Sequence, residues 1–146
     1  MMNSQNNLVL PKLGSLYARL GDPTFAFLRV IAGVALMTHG YGKILDPFGA
    51  VGMVESLGFF PGELWSPALA VTEFFGGLLL ALGVLTRPAA VAATVVLAVT
   101  VYFHWVAAGQ GYTGAEKSIL WAAITLFFAV HGGGRLSLDR LLRREI

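Results

Sequence analysis

Ionisable side chains interrupt four long apolar stretches of this chain. They are Arg29, His39, Lys43, Glu73, His104, Glu116 and Lys117. Ionisable groups in hydrocarbon are costly unless they face the interior of a helix bundle or a wet cavity. These residues are therefore the first candidates for a functional site.

The types and spacing of these residues favour proton exchange and the binding of a small oxygen-bearing ring. His39 and Lys43 are four residues apart and so share one face of a helix. Glu73 can relay protons, while His104, Glu116 and Lys117 are expected at the mouth of the same pocket. Aromatic surface at the same level would come from Tyr41, Tyr102 and Trp105. A quinone headgroup suits such a pocket, because it accepts hydrogen bonds at two carbonyl oxygens and exchanges protons on reduction.

Plainer interpretations stand beside this one. Lys43 and Glu73 could form an ion pair that only fixes helix register. Tyrosine and tryptophan are enriched at membrane interfaces, and a single histidine is often a packing residue. Arg29 and Arg87 are interpreted as structural, Arg29 as a snorkelling residue or helix partner and Arg87 as a determinant of topology.

Metal and haem sites are not predicted. His39, Glu73 and His104 form a two-histidine, one-carboxylate set, but no HxxxH or ExxH spacing supports a metal centre. Haem ligation by the two histidines has no further signature.

The composition is that of a membrane protein. Of 146 residues, 56 % are hydrophobic and 12 % are charged, and soluble domains carry about 25 % charged residues. The net charge of +2 gives no argument for nucleic-acid binding. The chain has no cysteine, which excludes disulfide and thiol chemistry.

Four spans are predicted, at about 24–45, 64–85, 88–107 and 114–131, each close to the roughly 20 residues that cross a bilayer. The fold class is therefore all-α, an integral membrane four-helix bundle. Lys12, Arg19, Arg87 and the arginines after the fourth span fall on one side of it. The positive-inside rule places that side, with both termini, in the cytoplasm. The ionisable groups then converge in the outer half of the bundle.

Three regions follow from this pattern. Residues 1–22 are predicted to form an amphipathic interfacial helix, residues 23–132 the membrane domain and residues 133–146 a basic cytoplasmic tail. A second interfacial helix is expected at 48–57. Glycines are expected to let helices approach closely, namely Gly33, Gly40, Gly42, Gly76 and Gly77.

The chain resembles the DoxX family of small four-span bacterial membrane proteins over about residues 27–142. The resemblance rests on Leu28 and Arg29, Gly33, His-Gly-Tyr-Gly-Lys at 39–43, Glu-Phe-Phe-Gly-Gly at 73–77 with Gly83, Leu-Thr-Arg at 85–87, and Gly-Gly-Gly-Arg-Leu-Ser-Leu-Asp-Arg at 132–140. One departure is Gly133, where the family often has proline.

The resemblance implies a multi-pass protein of the bacterial inner membrane. The family's relatives include the small subunit of an archaeal thiosulfate:quinone oxidoreductase, which implies a quinone-linked redox subunit. Its partners would be the lipid bilayer, a small redox molecule and another redox subunit, and a homodimer is a further hypothesis. The alternative is a non-enzymatic membrane protein that binds or transports a small molecule or acts as a scaffold.

Overall fold

The computed structural model describes residues 9–142, which contain helices and no strands. The helices are α1 (Gly14–Leu45), α2 (Val51–Ser56), α3 (Gly62–Leu82), α4 (Thr86–Ala107), α5 (Gly111–His131) and α6 (Leu138–Leu141). A 3-10 turn at Pro11–Leu13 precedes α1. Four of them, α1, α3, α4 and α5, are long and apolar enough to cross a membrane. The predicted all-α, four-span architecture is confirmed.

Left-handed residues end two of these helices and shape one turn. Gly83, with φ of 70°, ends α3, and Gly132, with φ of 75°, ends α5. Leu85, with φ of 47°, turns the chain into α4. The second span therefore ends three residues before its predicted limit at 85. We call the end of the bundle with residues 83–85 and 132–142 the tail end, and the end with residues 46–61 and 108–110 the loop end.

The first span is not separated from an interfacial helix. Residues 1–8 lie outside the described part, and from Gly14 a continuous helix runs through Pro23 to Leu45. At about 1.5 Å per residue, its 32 residues extend about 48 Å, well beyond the roughly 30 Å of hydrocarbon. Phe25 packs against Phe127 and Phe128, with ring centroids 5.5 and 5.2 Å apart. Gly21, Asp22 and Pro23 have low helix propensity, but these tertiary contacts keep the helix continuous through them.

Two helix pairs build the bundle. α1 packs along α3 and α4 packs along α5, whereas α1 and α5 have little contact. A Cβ on Gly33 would lie 2.4 Å from the carbonyl oxygen of Gly77, so the first pair meets backbone to backbone. The predictions for Gly33, Gly40 and Gly77 are confirmed. Gly42 faces open space and Gly76 has ordinary spacing, so neither is needed for close approach.

The long connection at the loop end is tied to α3. The hydroxyl of Ser66 donates to the carbonyl of Pro47 at 2.6 Å, and it accepts from the amide of Ala50 at 3.2 Å. The amide of Gly62 donates to the Glu55 carboxylate at 3.0 Å. The short helix α2 lies within the stretch predicted to be helical at 48–57.

The C-terminal segment folds onto the bundle as far as Leu142. Residues 132–142 contain buried Ser137 and Asp139. The predicted tail at 133–146 is therefore a packed element as far as Leu142, and residues 143–146 lie outside the described part.

Candidate functional site

A cavity of about 840 Å³ lies in the loop-end half of the bundle, between all four long helices and the connection after α1. It arises because α1 and α5 have little contact, while the tail end is closed by Phe25 against α5. Its charged and imidazole groups are His39, Lys43, Glu73, His104 and Lys117. Aromatic walls come from Phe59, Trp65, Phe103 and Trp121. The remaining wall is mostly aliphatic, so the cavity is amphipathic.

Lys43 and Glu73 form an ion pair in the cavity wall. Lys43 Nζ lies 2.5 Å from Glu73 Oε2 and also donates to the carbonyl oxygen of His39 at 3.2 Å. The Glu73 side chain is 10 % exposed and the Lys43 side chain 32 %. The carboxylate is thus nearly enclosed, while the ammonium group retains a donor for the cavity.

Two local features bring Glu73 within reach of Lys43. The first is Gly40, where a Cβ would lie 2.5 Å from the amide nitrogen of Phe74 and 2.9 Å from Glu73 Cβ. Only glycine lets α3 approach α1 so closely. The second is a π-helical turn at Thr72–Gly76, which contains Glu73. Such single wide turns are frequent at functional sites.

His104 lies in a second π-helical turn, at Phe103–Ala107. Its Nδ1 lies 2.8 Å from Oε1 of Gln110, so the ring is oriented by this side chain. With Nδ1 donating to Gln110, Nε2 carries the lone pair that can accept a proton. Gln110 was not predicted, and its only signal is its position between Gly109 and Gly111 in the connection between α4 and α5.

The adjacent residues Glu116 and Lys117 lie on different faces of α5, and only Lys117 lines the cavity. Thr113, Lys117 and Trp121 repeat every four residues on the face of α5 that lines the cavity. Glu116 is exposed and does not line it. Within residues 9–142, Lys117 has no ion-pair partner. The charged groups of the cavity wall are therefore two lysines and one glutamate, an excess of one positive charge with the histidines neutral.

The three aromatic residues predicted at the pocket lie elsewhere. Tyr41, Tyr102 and Trp105 are 60, 54 and 45 % exposed, and none lines the cavity. Trp105 packs edge-on against Tyr112, with ring centroids 6.0 Å apart. Helix rise predicts the level of these residues along the helices but not the direction in which each side chain points.

The histidines and Glu73 do not form a metal cluster. In the part of the chain that the structure describes, no group of three or more histidine, aspartate or glutamate residues could hold a metal ion. His39 and Glu73 line the cavity from α1 and α3, while His104 lines it from α4.

The tail end holds a second polar cluster, which includes Arg29. Arg29 is buried, and its guanidinium donates to the carbonyl oxygens of Gly133 and, at 2.9 Å, Leu136. Asp139, which the sequence did not single out, accepts from the amides of Leu85 and Thr86 at 2.8 and 2.9 Å. It also accepts from the Thr86 hydroxyl at 2.7 Å.

Asp139 thus acts as an N-cap for α4 from 53 residues away in the chain. The backbone amide of Asp139 also donates a hydrogen bond to the carbonyl oxygen of Gly83 at 2.8 Å. Arg87 lies beside Gly132 in the same region. Arg29 and Arg87 therefore both lie at the opposite end of the bundle from the cavity.

Comparison with known proteins places this architecture in a family. The DoxX family profile matches residues 24–105. An inner membrane protein of Escherichia coli K12, YqjF, is 30 % identical over 129 residues, which cover 87 % of this chain and 98 % of that protein. An uncharacterised protein of Haemophilus influenzae is 32 % identical over 121 residues, or 78 % of this chain and 87 % of that protein. No solved structure matches significantly. The chain is a multi-pass inner-membrane protein and belongs to the DoxX family.

Proposed function

We propose that this protein is a quinone-linked redox subunit that binds a quinone headgroup in the loop-end cavity. The observation that carries the proposal is the Lys43–Glu73 pair set in the wall of a largely apolar chamber. The cavity volume of about 840 Å³ lies within the range of small-molecule sites. Its depth in the bundle suits a ligand that is itself dissolved in the bilayer.

The donors of the cavity match the needs of a quinone ring. Lys43 and His39 would hold one carbonyl oxygen and Lys117 would hold the other, while the lone pair of His104 Nε2 would accept a hydrogen bond from a hydroxyl group of the quinol. Reduction adds two electrons and two protons and gives a quinol with two hydroxyl groups. The protons would pass through Glu73 and the histidines. The excess positive charge of the wall would stabilise an electron-rich ring oxygen before it is protonated.

The electrons would come from outside this chain. The proposed donor is a substrate or a partner redox subunit, which delivers two electrons for each quinone reduced. The aromatic and aliphatic walls would exclude water and stack on the ring.

The first test is mass spectrometry of lipids and cofactors extracted from gently purified protein. Wild-type protein should contain quinone, and His39→Ala and Glu73→Gln should contain little or none. Glu63→Gln is the matched control, because Glu63 lies on the same helix but is exposed and outside the cavity. Absence of quinone from well-folded wild type, or equal quinone in all variants, would refute the proposal.

A second test uses the neighbouring residues Glu116 and Lys117, which lie outside the cavity wall and in it, respectively. Lys117→Met should weaken quinone binding, while Glu116→Gln should leave it within about twofold, because only Lys117 lines the cavity. Equal losses in both variants would contradict this assignment. The readout is the amount of added short-chain quinone retained by each purified variant.

A second candidate function is non-enzymatic binding or transport of a small molecule, or a scaffold role. The observation that favours it is that Lys43 and Glu73 already satisfy one another at 2.5 Å. Transport by alternating access would require a homodimer, since four spans are few for that mechanism. Under this candidate the purified protein would retain a ligand other than quinone, and mass measurement would report two chains.

A further inference from the structure

A second concavity lies at the tail end, on the outside of the bundle. This groove has a volume of about 820 Å³ and lies between the end of α3 and the segment 135–141. Ala81 and Leu82 form one wall. The opposite wall carries Arg135 and Arg140 together with leucines. The groove shares no residue with the loop-end cavity and is independent of the proposed quinone site.

The segment that forms the groove is rigidly held. Its buried residues are Ser137 and Asp139, and Asp139 is bonded to the first turn of α4. The Arg29 guanidinium donates a hydrogen bond to the carbonyl oxygen of Leu136 and so ties the segment to α1. Between these anchors the chain directs alternate side chains outward, namely Leu136, Leu138 and Arg140. The exposed residues therefore form a fixed surface.

The exposed side chains combine apolar and cationic character. Leu136 is 56 % exposed and Leu141 is 76 % exposed, so this apolar surface is uncovered within the described residues. Arg140 has no ion-pair partner among them. Arg135 approaches Asp22 at 3.5 Å, but both side chains are well exposed, so the pair is weak. Both guanidinium groups can therefore bind an external anion.

The groove lies at the level where lipid headgroups are expected. α3 ends at Leu82 and α5 ends at His131, so this surface begins where two spans leave the hydrocarbon. Leucines beside arginines match a molecule with an acyl chain joined to an anionic head. A guanidinium can bind a phosphate with two parallel hydrogen bonds, which gives it geometric preference for that group.

We propose that this groove is a binding site for an anionic phospholipid. The phosphate would lie on Arg135 and Arg140, and an acyl chain would lie along Leu82 and the exposed leucines. Charge complementarity favours this occupant over a second copy of the chain, because two copies would bring like-charged arginines together.

The test is native mass spectrometry of the full-length protein in detergent with added phosphatidylglycerol or phosphatidylcholine. Wild type should bind phosphatidylglycerol in preference. The double variant R135Q/R140Q should lose about 10- to 30-fold in affinity for it, since each basic residue near an anionic lipid surface contributes a factor of about five. Higher ionic strength should reduce the wild-type preference.

Two matched variants keep the result interpretable. K12Q/R19Q removes two basic residues outside the groove and should retain wild-type binding. R135K/R140K keeps the charge but loses the paired hydrogen bonds of the guanidinium, so its affinity for phosphatidylglycerol should lie between those of wild type and R135Q/R140Q, which separates a charge effect from misfolding. Equal binding of both lipids by wild type, unchanged binding in R135Q/R140Q, or a dimer that excludes lipid from the groove would overturn the proposal.

Discussion

Removal of either partner of the Lys43–Glu73 pair should destabilise the protein, and the two losses should be unequal. At 2.5 Å and an effective dielectric constant near 20, the direct attraction is about 6–7 kcal/mol, most of which is offset by desolvation. Loss of one partner of a buried pair costs about 3–5 kcal/mol when the remaining charge stays buried. The outcome therefore depends on which charge is left behind.

Glu73 is the more enclosed of the two, with 10 % of its side chain exposed against 32 % for Lys43. Lys43→Met should accordingly lower the free energy of unfolding by about 3 kcal/mol, because it leaves the carboxylate unpaired. Glu73→Leu should lower it by about 1–2 kcal/mol, because the ammonium can turn into the cavity. The double variant should return to within about 1 kcal/mol of wild type.

The assay is reversible unfolding of the purified protein in mixed micelles with increasing dodecyl sulfate. Asp22→Asn is the control, since it breaks the exposed pair with Arg135 and should change stability by at most about 1 kcal/mol. Equal losses in the two single variants, or a double variant whose loss is the sum of the two, would refute the reasoning. Quinone retention in the double variant then distinguishes a structural role of Lys43 and Glu73 from a ligand-binding role. If the pair is purely structural, the double variant should recover quinone binding along with stability.

Four further predictions concern the packing of α1, the C-terminal segment and the topology. Gly33→Ala should destabilise the bundle by more than about 2 kcal/mol in the same unfolding assay, because backbone atoms lie where the methyl group would go. Gly42→Ala on the same helix should be neutral or stabilising by up to about 1 kcal/mol, since that position faces open space. Asp139→Ala should cost about 1–3 kcal/mol and expose the C-terminal segment to limited proteolysis, whereas unchanged cleavage would deny its role as the cap of α4. In this cysteine-free chain, Gly52→Cys should react with an impermeant thiol reagent from outside the cell and Arg140→Cys should not. The reverse labelling pattern would invert the predicted topology.

The sequence predicted the spans well because their signal is local. Four apolar runs with few charges are sufficient to assign four helices, and packing changed only their ends. The start of α1 could not be predicted, because Phe25 supports the helix through contacts with residues about a hundred positions later. The same limit applies to the C-terminal segment, where the bonds of Asp139 to the turn before α4 are invisible in the sequence.

The sequence predicted the depth of the cavity in the bundle but only some of the residues that line it. Helix rise alone places His39, Lys43, Glu73, His104 and Lys117 near one depth, and these five residues do line the cavity. Tyr41, Tyr102, Trp105 and Glu116 share that depth but point away. The position of a residue around the helix axis determines whether its side chain points into the cavity. The π-helical turns at Glu73 and His104 change that position relative to an ideal α-helix, so the sequence repeat does not predict it.

The bond between Asp139 and Thr86 also sets an order of events during synthesis. Because ribosomes make the chain from its N-terminus, α1, α3, α4 and α5 are all translated before Asp139. Until then the first turn of α4 lacks its capping carboxylate and Arg29 lacks the carbonyls of residues 133 and 136. The tail end of the bundle therefore completes these hydrogen bonds only after the last span has been translated, and chains truncated before residue 139 should be degraded by membrane proteases faster than the full-length chain.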